Sequence, residues 1–253
     1  LSTNHIVAFH GFMGVGEDFE SLADACGLDF ETPDLIGHGS SQCADPVQYS
    51  LDAQLEHWFD RIPKGSILIG YSMGGRLALQ FACRYPGHLS GLVLIGTTPG
   101  ISDPDEREKR QKWDATQAAR ICEVGIEGFY NEWQRLPIIA TQQRIDTETR
   151  RKMRASRLAQ RVEGLANSML YFGTGTMPDC WNALPDMNLH ILLMVGEEDA
   201  KYREIATRMM KRLPEESTEC AVIYGAGHCA HLERVSETAI VLKKWLKSRF
   251  SWR

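Results

Sequence analysis

Apolar residues along this chain gather into short continuous runs near both ends and follow helical spacing in the middle. The runs His5-Ile6-Val7-Ala8-Phe9, Ile67-Leu68-Ile69-Gly70 and Leu92-Val93-Leu94-Ile95-Gly96 predict buried strands. So do Leu189 to Gly196 and Ala221-Val222-Ile223-Tyr224. From residue 5 to about 98 the pattern is strand, turn, helix, and it returns from about 189. Ser236 to Phe250 closes it as a helix whose apolar stripe holds Ile240, Leu242, Trp245, Leu246 and Phe250. Residues 100–180 carry several helical runs and no strand pattern. This alternation predicts an α/β fold, a mostly parallel central sheet flanked by helices. The all-helical stretch reads as an insertion, giving a core of residues 1–99 and 181–253 and a helical lid of 100–180 over the active site. Internal repeats and low-complexity tracts are absent from the sequence.

The candidate chemistry lies just past the predicted strands. Gly70-Tyr71-Ser72-Met73-Gly74 carries G-x-S-x-G between a strand and a helix. Glycines at its two ends let strand and helix crowd together, so Ser72 is expected on a tight, strained turn with its hydroxyl exposed above the sheet. The loop after the 189–196 strand holds Glu197, Glu198 and Asp199, and Asp199 is the best orienting acid. The turn Gly225-Ala226-Gly227-His228 can aim an imidazole back toward the serine. Serine, acid and histidine in that order, each after a strand, is the chain order of the α/β-hydrolase fold. Near the start, His10-Gly11-Phe12-Met13-Gly14 is a turn that can offer backbone donors. The amides of Phe12 and Met73 would form an oxyanion hole, whereas His10 is expected to brace the loop by hydrogen bonding. His228-Cys229-Ala230-His231 has no acidic partner within its turn and is read as the catalytic loop alone rather than a metal site.

Charge narrows the substrate class. The chain has 253 residues, 43% hydrophobic and 24% charged, with a net charge of -5 that gives no reason to expect nucleic acid or an acidic membrane as partner. No stretch approaches the roughly 20 apolar residues of a membrane span, and no signal peptide is recognised. Seven cysteines without a C-x-x-C pair lead us to expect reduced thiols in a cytoplasmic protein. An opening residue of Leu1 in place of methionine leads us to expect that a few native residues or a start codon have been lost ahead of it. Against this acidic background, Arg150 to Arg161 holds six basic residues and no acid. On one continuous helix, positions 150, 154, 157 and 161 would share a face, beside Met153, Leu158, Val162 and Leu165. Arg150, Arg151 and Lys152 are expected to be solvated. Arg110 can face the same space, and Arg76 lies one helical turn beyond Ser72, where an arginine is costly without an anionic partner. An esterase of this fold needs an oily acyl pocket. Guanidinium groups over the serine favour a small substrate with several carboxylates, each charge-assisted bond being worth about 1.5 to 3 kcal/mol.

Segments spanning nearly the whole chain resemble the 2-succinyl-6-hydroxy-2,4-cyclohexadiene-1-carboxylate synthase family of the α/β-hydrolase superfamily. The matching pieces are His10 to Gly14, Asp34-Leu35-Ile36-Gly37-His38-Gly39, Gly70 to Arg76, Trp133 to Gln142, Gly164 to Ser168, Gly173 to Pro178, Gly196 to Ala206 and Gly225 to Glu233. The resemblance implies a triad of Ser72, Asp199 and His228, with Phe12 and Met73 as amide donors. It also implies substrate contacts from Tyr71, Arg76, Arg110, Trp133 and one lid arginine. We place the last at Arg157, with Arg154 and Arg161 fitting the register nearly as well. The chain departs from the family at Met177, where glutamine usually precedes the proline, and at Ile36, where proline is common. The implied reaction is a lyase step without a cofactor. Ser72, activated by His228, takes a proton from 2-succinyl-5-enolpyruvyl-6-hydroxy-3-cyclohexene-1-carboxylate, charge flows into the succinyl carbonyl, and pyruvate leaves, in menaquinone or phylloquinone synthesis. A monomer or weak homo-oligomer is expected. The residues alone leave open a serine carboxylesterase or C–C hydrolase that uses Ser72 covalently, and a non-catalytic receptor scaffold.

Overall fold

The structure, a computed structural model, describes residues 5–250, so Leu1 lies outside the described residues. Five parallel strands form one sheet in the order β1 (Ile6–Phe9), β2 (Ile67–Tyr71), β3 (Gly91–Ile95), β4 (His190–Gly196) and β5 (Thr218–Ile223). The register pairs Phe9 with Gly70, Tyr71 with Ile95 and Val195 with Val222, which brings the carboxyl ends of the strands to one edge.

Alternation along each strand divides the core into two layers, the burial expected of a parallel sheet covered on both faces. Val7, Phe9, Leu68, Leu92, Leu94, Ile191 and Leu193 point toward α2 (Leu51–Phe59), α3 (Met73–Arg84) and α8 (Ala200–Met210). Ile6, Ala8, Ile67, Ile69, Val93, Leu192 and Met194 point toward α1 (Glu20–Cys26) and α10 (Val235–Arg249). Ile240, expected in the apolar stripe of α10, is 67% exposed; Ala239 and Leu242 turn inward instead. β5 begins three residues before the predicted Ala221, because Thr218 to Cys220 already pair with Ile191 to Leu193. It lies at the sheet edge, where an outward polar side chain costs nothing.

Between β3 and β4 the chain forms only helices and turns: α4 (Pro104–Trp133), α5 (Pro137–Ala140), α6 (Thr147–Leu158) and α7 (Val162–Tyr171), with the short turn Thr141–Arg144 after α5. Gly125, at φ +69°, breaks the dihedral pattern inside α4 and kinks it. Ala118, Ile121 and Phe129 of α4 pack on Leu165, Ala166 and Met169 of α7, and Met13 of the core joins that cluster. The single basic helix expected across 150–165 is two helices. α6 ends at Leu158, and Arg161 is extended (φ -105°, ψ 140°), capping α7. The break is fixed by Gln160, whose side-chain oxygen accepts from Gly39 N at 2.9 Å and whose amide donates to Met13 O and Gly14 O at 3.3 Å. Among the described residues no helix is long and apolar enough to cross a membrane.

Candidate active site

Each element of the site follows the carboxyl end of a strand, where α/β sheets place their ligands. Ser72 joins β2 to α3 at φ +49°, ψ -107°, a conformation outside the usual regions that costs about 1 to 3 kcal/mol. The turn is held by Ser72 N–H donating to Ile95 O at 2.9 Å, and by the Thr97 hydroxyl donating to Ser72 O at 2.9 Å. It closes only because its flanks lack side chains. A Cβ on Gly74 would lie 2.3 Å from Phe9 O, and one on Gly70 would lie 2.5 Å from Gly74 O. Gly74→Ala should therefore cost about 1 to 3 kcal/mol by overpacking and displace the serine. Thermal unfolding together with the rate of Ser72 labelling by an organophosphonate measures both effects, and a variant with wild-type values would contradict the crowding.

The Ser72 hydroxyl lies 3.0 Å from His228 Nε2, and His228 Nδ1 lies 2.6 Å from Asp199 Oδ2. The His228 and Asp199 side chains are each 4% exposed, so this contact is shielded from water. Such an array can take a proton from the hydroxyl at Nε2 while the carboxylate holds the ring in the required tautomer. Asp199 Oδ1 also accepts from Tyr202 N, anchoring the acid at the start of α8. Among the described residues, neither Phe12 N–H nor Met73 N–H donates to a protein acceptor, and Phe12, Ser72 and Met73 all line one cavity. Two free amides beside a nucleophile form a place for a developing oxyanion. His10 braces the loop as expected: Leu35 N–H donates to its Nε2 at 2.9 Å, and its Nδ1 bonds Gly11 O at 2.7 Å. His231 turns away from the cavity and stacks on Phe19; burial pushes it down to about 3, so it is neutral.

The cavity, about 820 Å³, is lined by the core and by the helical segment. It brings together Tyr71, Arg76, Arg110, Trp133 and Arg157, all expected from the sequence, and also Arg154 and Lys201, but not Arg161. Tyr71 lies beside His228, with ring centroids 5.3 Å apart, and Trp133 stacks on Phe129 while its edge meets Phe12. Arg150 and Arg151 are exposed, as expected, yet border the same cavity.

The cations differ in their partners. Arg110 pairs with buried Asp114 at 2.7 Å, Arg154 with Glu127 at 3.0 Å, and Arg157 with Asp18 through both guanidinium nitrogens at 2.7 and 2.6 Å. The last pair was not legible, since Asp18 is an acid in an otherwise unremarked turn 139 residues from its partner. Arg76 has no carboxylate partner among the described residues. It donates to Phe172 O, lies 3.3 Å from Met177 Sδ and covers the Phe172 ring. Burial and the Arg110 charge push its guanidinium down to about 10. Lys201, which lies within the matching segment Gly196 to Ala206, is likewise held below its ordinary value by burial and Arg110. Arg76 and Lys201, both depressed by burial and by the Arg110 charge and neither in a salt bridge among the described residues, make a site for an anion.

A parallel sheet with a strained serine elbow and the order serine, acid, histidine defines an α/β hydrolase. The chain belongs to the alpha/beta hydrolase family, whose sequence profile matches residues 6–239. Within that family it is 34% identical, over 96% of its length and 90% of the relative's, to a Bacillus subtilis (strain 168) protein named "Putative 2-succinyl-6-hydroxy-2,4-cyclohexadiene-1-carboxylate synthase". It is 28% identical, over 90% of its length and 88% of the relative's, to the 2-succinyl-6-hydroxy-2,4-cyclohexadiene-1-carboxylate synthase of Escherichia coli O1:K1 / APEC. Its structure superposes on that of MenH from S. aureus with a TM-score of 0.92 at 31% identity, covering 98% of this chain and 96% of that one.

Proposed function

We propose that this chain is a 2-succinyl-6-hydroxy-2,4-cyclohexadiene-1-carboxylate synthase, a carbon–oxygen lyase of menaquinone or phylloquinone synthesis working in the cytoplasm. The observation that carries the reading is Arg76: a cation one helical turn past the elbow serine, without a carboxylate partner among the described residues and facing a cavity with further positive charge. The names of its relatives give the matching product, a small ring bearing a carboxylate and a succinyl group.

In this reading Ser72, its proton passing to His228 Nε2, is the base. It removes a ring proton from 2-succinyl-5-enolpyruvyl-6-hydroxy-3-cyclohexene-1-carboxylate, and the electron pair delocalises into the succinyl carbonyl, whose oxygen accepts from Phe12 N–H and Met73 N–H. The electrons then return to form a new ring double bond, the double bond already in the ring shifts one position toward the carbon bearing the enolpyruvyl oxygen, the bond to that oxygen breaks, and the released enolpyruvate takes up a proton to become pyruvate. Asp199 orients His228 and stabilises its protonated form. Arg76 and Arg110 hold carboxylates, Tyr71 and Trp133 flank the ring, and residues 100–180 act as a lid that excludes water. Arg157 enters as a substrate contact only by sharing its guanidinium with Asp18.

Steady-state pyruvate release by Arg76→Ala tests the observation directly. Losing one charge-assisted bond should lower kcat/KM by roughly 10- to 150-fold, with KM raised. Unchanged kinetics would remove Arg76 from the site.

A further inference from the structure

Two thiols meet away from the active-site cavity. Cys83 lies in the last turn of α3, about 16 Å of helix beyond Ser72. Cys180 precedes the turn Trp181–Asp186, where the helical segment rejoins the core. The two stretches are fastened side by side. Gln80, one helical turn before Cys83, donates through its side-chain amide to Pro178 O at 2.6 Å, two residues before Cys180. Both cysteines pack in the same core layer and line one cavity of about 370 Å³. Its rim carries exposed Asp52, Arg84 and Asn182, so the cavity opens to solvent and admits a small solute.

The two sulfurs are hydrogen-bonded to each other. Cys83 is the more exposed of the pair, and the bond from Cys180 holds its thiol below the ordinary value, so ionisation falls on Cys83. A thiolate beside a second thiol is the arrangement that oxidants convert to a disulfide. The bond needs its sulfurs about 2.0 Å apart, and rotation of two side chains already in contact covers the difference. All seven cysteines are free. Cys26, by contrast, is pushed up by burial to about 11, and burial raises Cys229 as well. Nothing in the reaction above uses Cys83 or Cys180.

Cys180 also sits at the root of the helical segment. Its N–H donates to Pro99 O at 2.8 Å, and Trp181 Nε1–H donates to Gly100 O at 3.0 Å. A Cβ on Gly100 would lie 2.7 Å from Asp179 Cα, so the outgoing and returning stretches touch. A bond from α3 to Cys180 therefore closes a loop around the whole segment.

We propose that Cys83 and Cys180 form a peroxide-oxidisable pair that closes into an internal disulfide, stapling the returning end of the helical segment to α3. The Cys83 thiolate attacks one oxygen of a hydroperoxide; the S–O bond forms, the O–O bond breaks, and the leaving alkoxide or hydroxide takes up a proton. Cys180 then attacks the Cys83 sulfenic acid. The S–S bond forms, the S–O bond breaks, and the hydroxyl leaves with the Cys180 proton as water. The two thiols give up two electrons, and the peroxide accepts them. The proposal is independent of the substrate named above.

The test treats the reduced protein with hydrogen peroxide near neutral pH, alkylates the remaining thiols and maps the tryptic peptides by mass spectrometry. The expected result is loss of both Cys83 and Cys180 from the alkylated set, a linked pair of peptides carrying them, and recovery with dithiothreitol. The crosslink closes a loop of about 100 residues, so the oxidised form should unfold about 4 to 16 °C above the reduced form. In Cys180→Ser, Cys83 should stop at the sulfenic acid and be trapped by dimedone, with no rise in Tm. In Cys83→Ser, Cys180 should stay alkylatable. If either variant does not fold, mapping of the intact protein decides the matter. Peroxide that consumes Cys43 or Cys122 while Cys83 and Cys180 remain alkylatable would overturn the proposal. So would a Cys83 sulfenic acid that persists beside reduced Cys180, or a disulfide that joins only separate chains.

Discussion

An Asp199→Asn variant is expected to lose about 10,000-fold in kcat while KM changes little. His228 Nδ1 and Asp199 Oδ2 are 2.6 Å apart and buried, so the imidazole has no other strong partner on that side. An asparagine turns an N–H toward Nδ1, and the ring answers by carrying its proton on Nε2, the nitrogen facing Ser72. That nitrogen can then no longer receive the serine proton. The fold should survive, because asparagine caps α8 at Tyr202 N as well as aspartate does. Circular dichroism together with pyruvate release separates the two effects. Activity within tenfold of wild type would place the proton transfer elsewhere.

Asp18→Ala is expected to lower the unfolding free energy by about 3 to 5 kcal/mol, the range for a buried ion pair that loses one partner. Arg157 and Asp18 have side-chain exposures of 11% and 9%, and both guanidinium nitrogens are committed to the carboxylate. Removing the acid strands a cation between the core and α6. Burial alone would raise the Asp18 carboxyl, but the Arg157 charge and bonds outweigh it and hold the group below its ordinary value. A carboxyl depressed on folding contributes stability that is fully present above its unfolded value of about 3.9 and is lost as pH falls through the lower folded value. The advantage of the wild type over Asp18→Asn should therefore be constant near neutrality and shrink below about pH 4. Urea unfolding across that range checks the sign; an advantage that grew on acidification would contradict the pairing. Replacing both partners with apolar residues, Asp18→Leu with Arg157→Met, should recover much of the loss.

The sequence made some of this plain and hid the rest for physical reasons. The elbow was legible because its chemistry is local: two glycines, a serine and the preceding apolar run lie within eight residues, Ile67 to Gly74. The acid and base were legible because each follows a strand whose apolar run is continuous. The start of β5 was obscured because an edge strand turns polar residues such as Glu219 to solvent. Helical spacing ran straight through Arg150 to Arg161, and nothing local announced the break. The bonds that cause it join Gln160 to Gly39, Met13 and Gly14, more than 100 residues away. Arg157 illustrates the same limit. Its place beside the cavity was implied by the resemblance, with Arg154 and Arg161 fitting the register nearly as well, but its pairing with Asp18 depended on a contact across 139 residues.

The most direct test of the account is pyruvate release from freshly prepared 2-succinyl-5-enolpyruvyl-6-hydroxy-3-cyclohexene-1-carboxylate, measured for the intact protein, for Ser72→Ala and for the compound alone. The account predicts rapid release by the intact protein, with Ser72→Ala slower by at least about 1,000-fold and close to spontaneous decay. Release by the intact protein no faster than the compound alone, or equal release by Ser72→Ala, would contradict it.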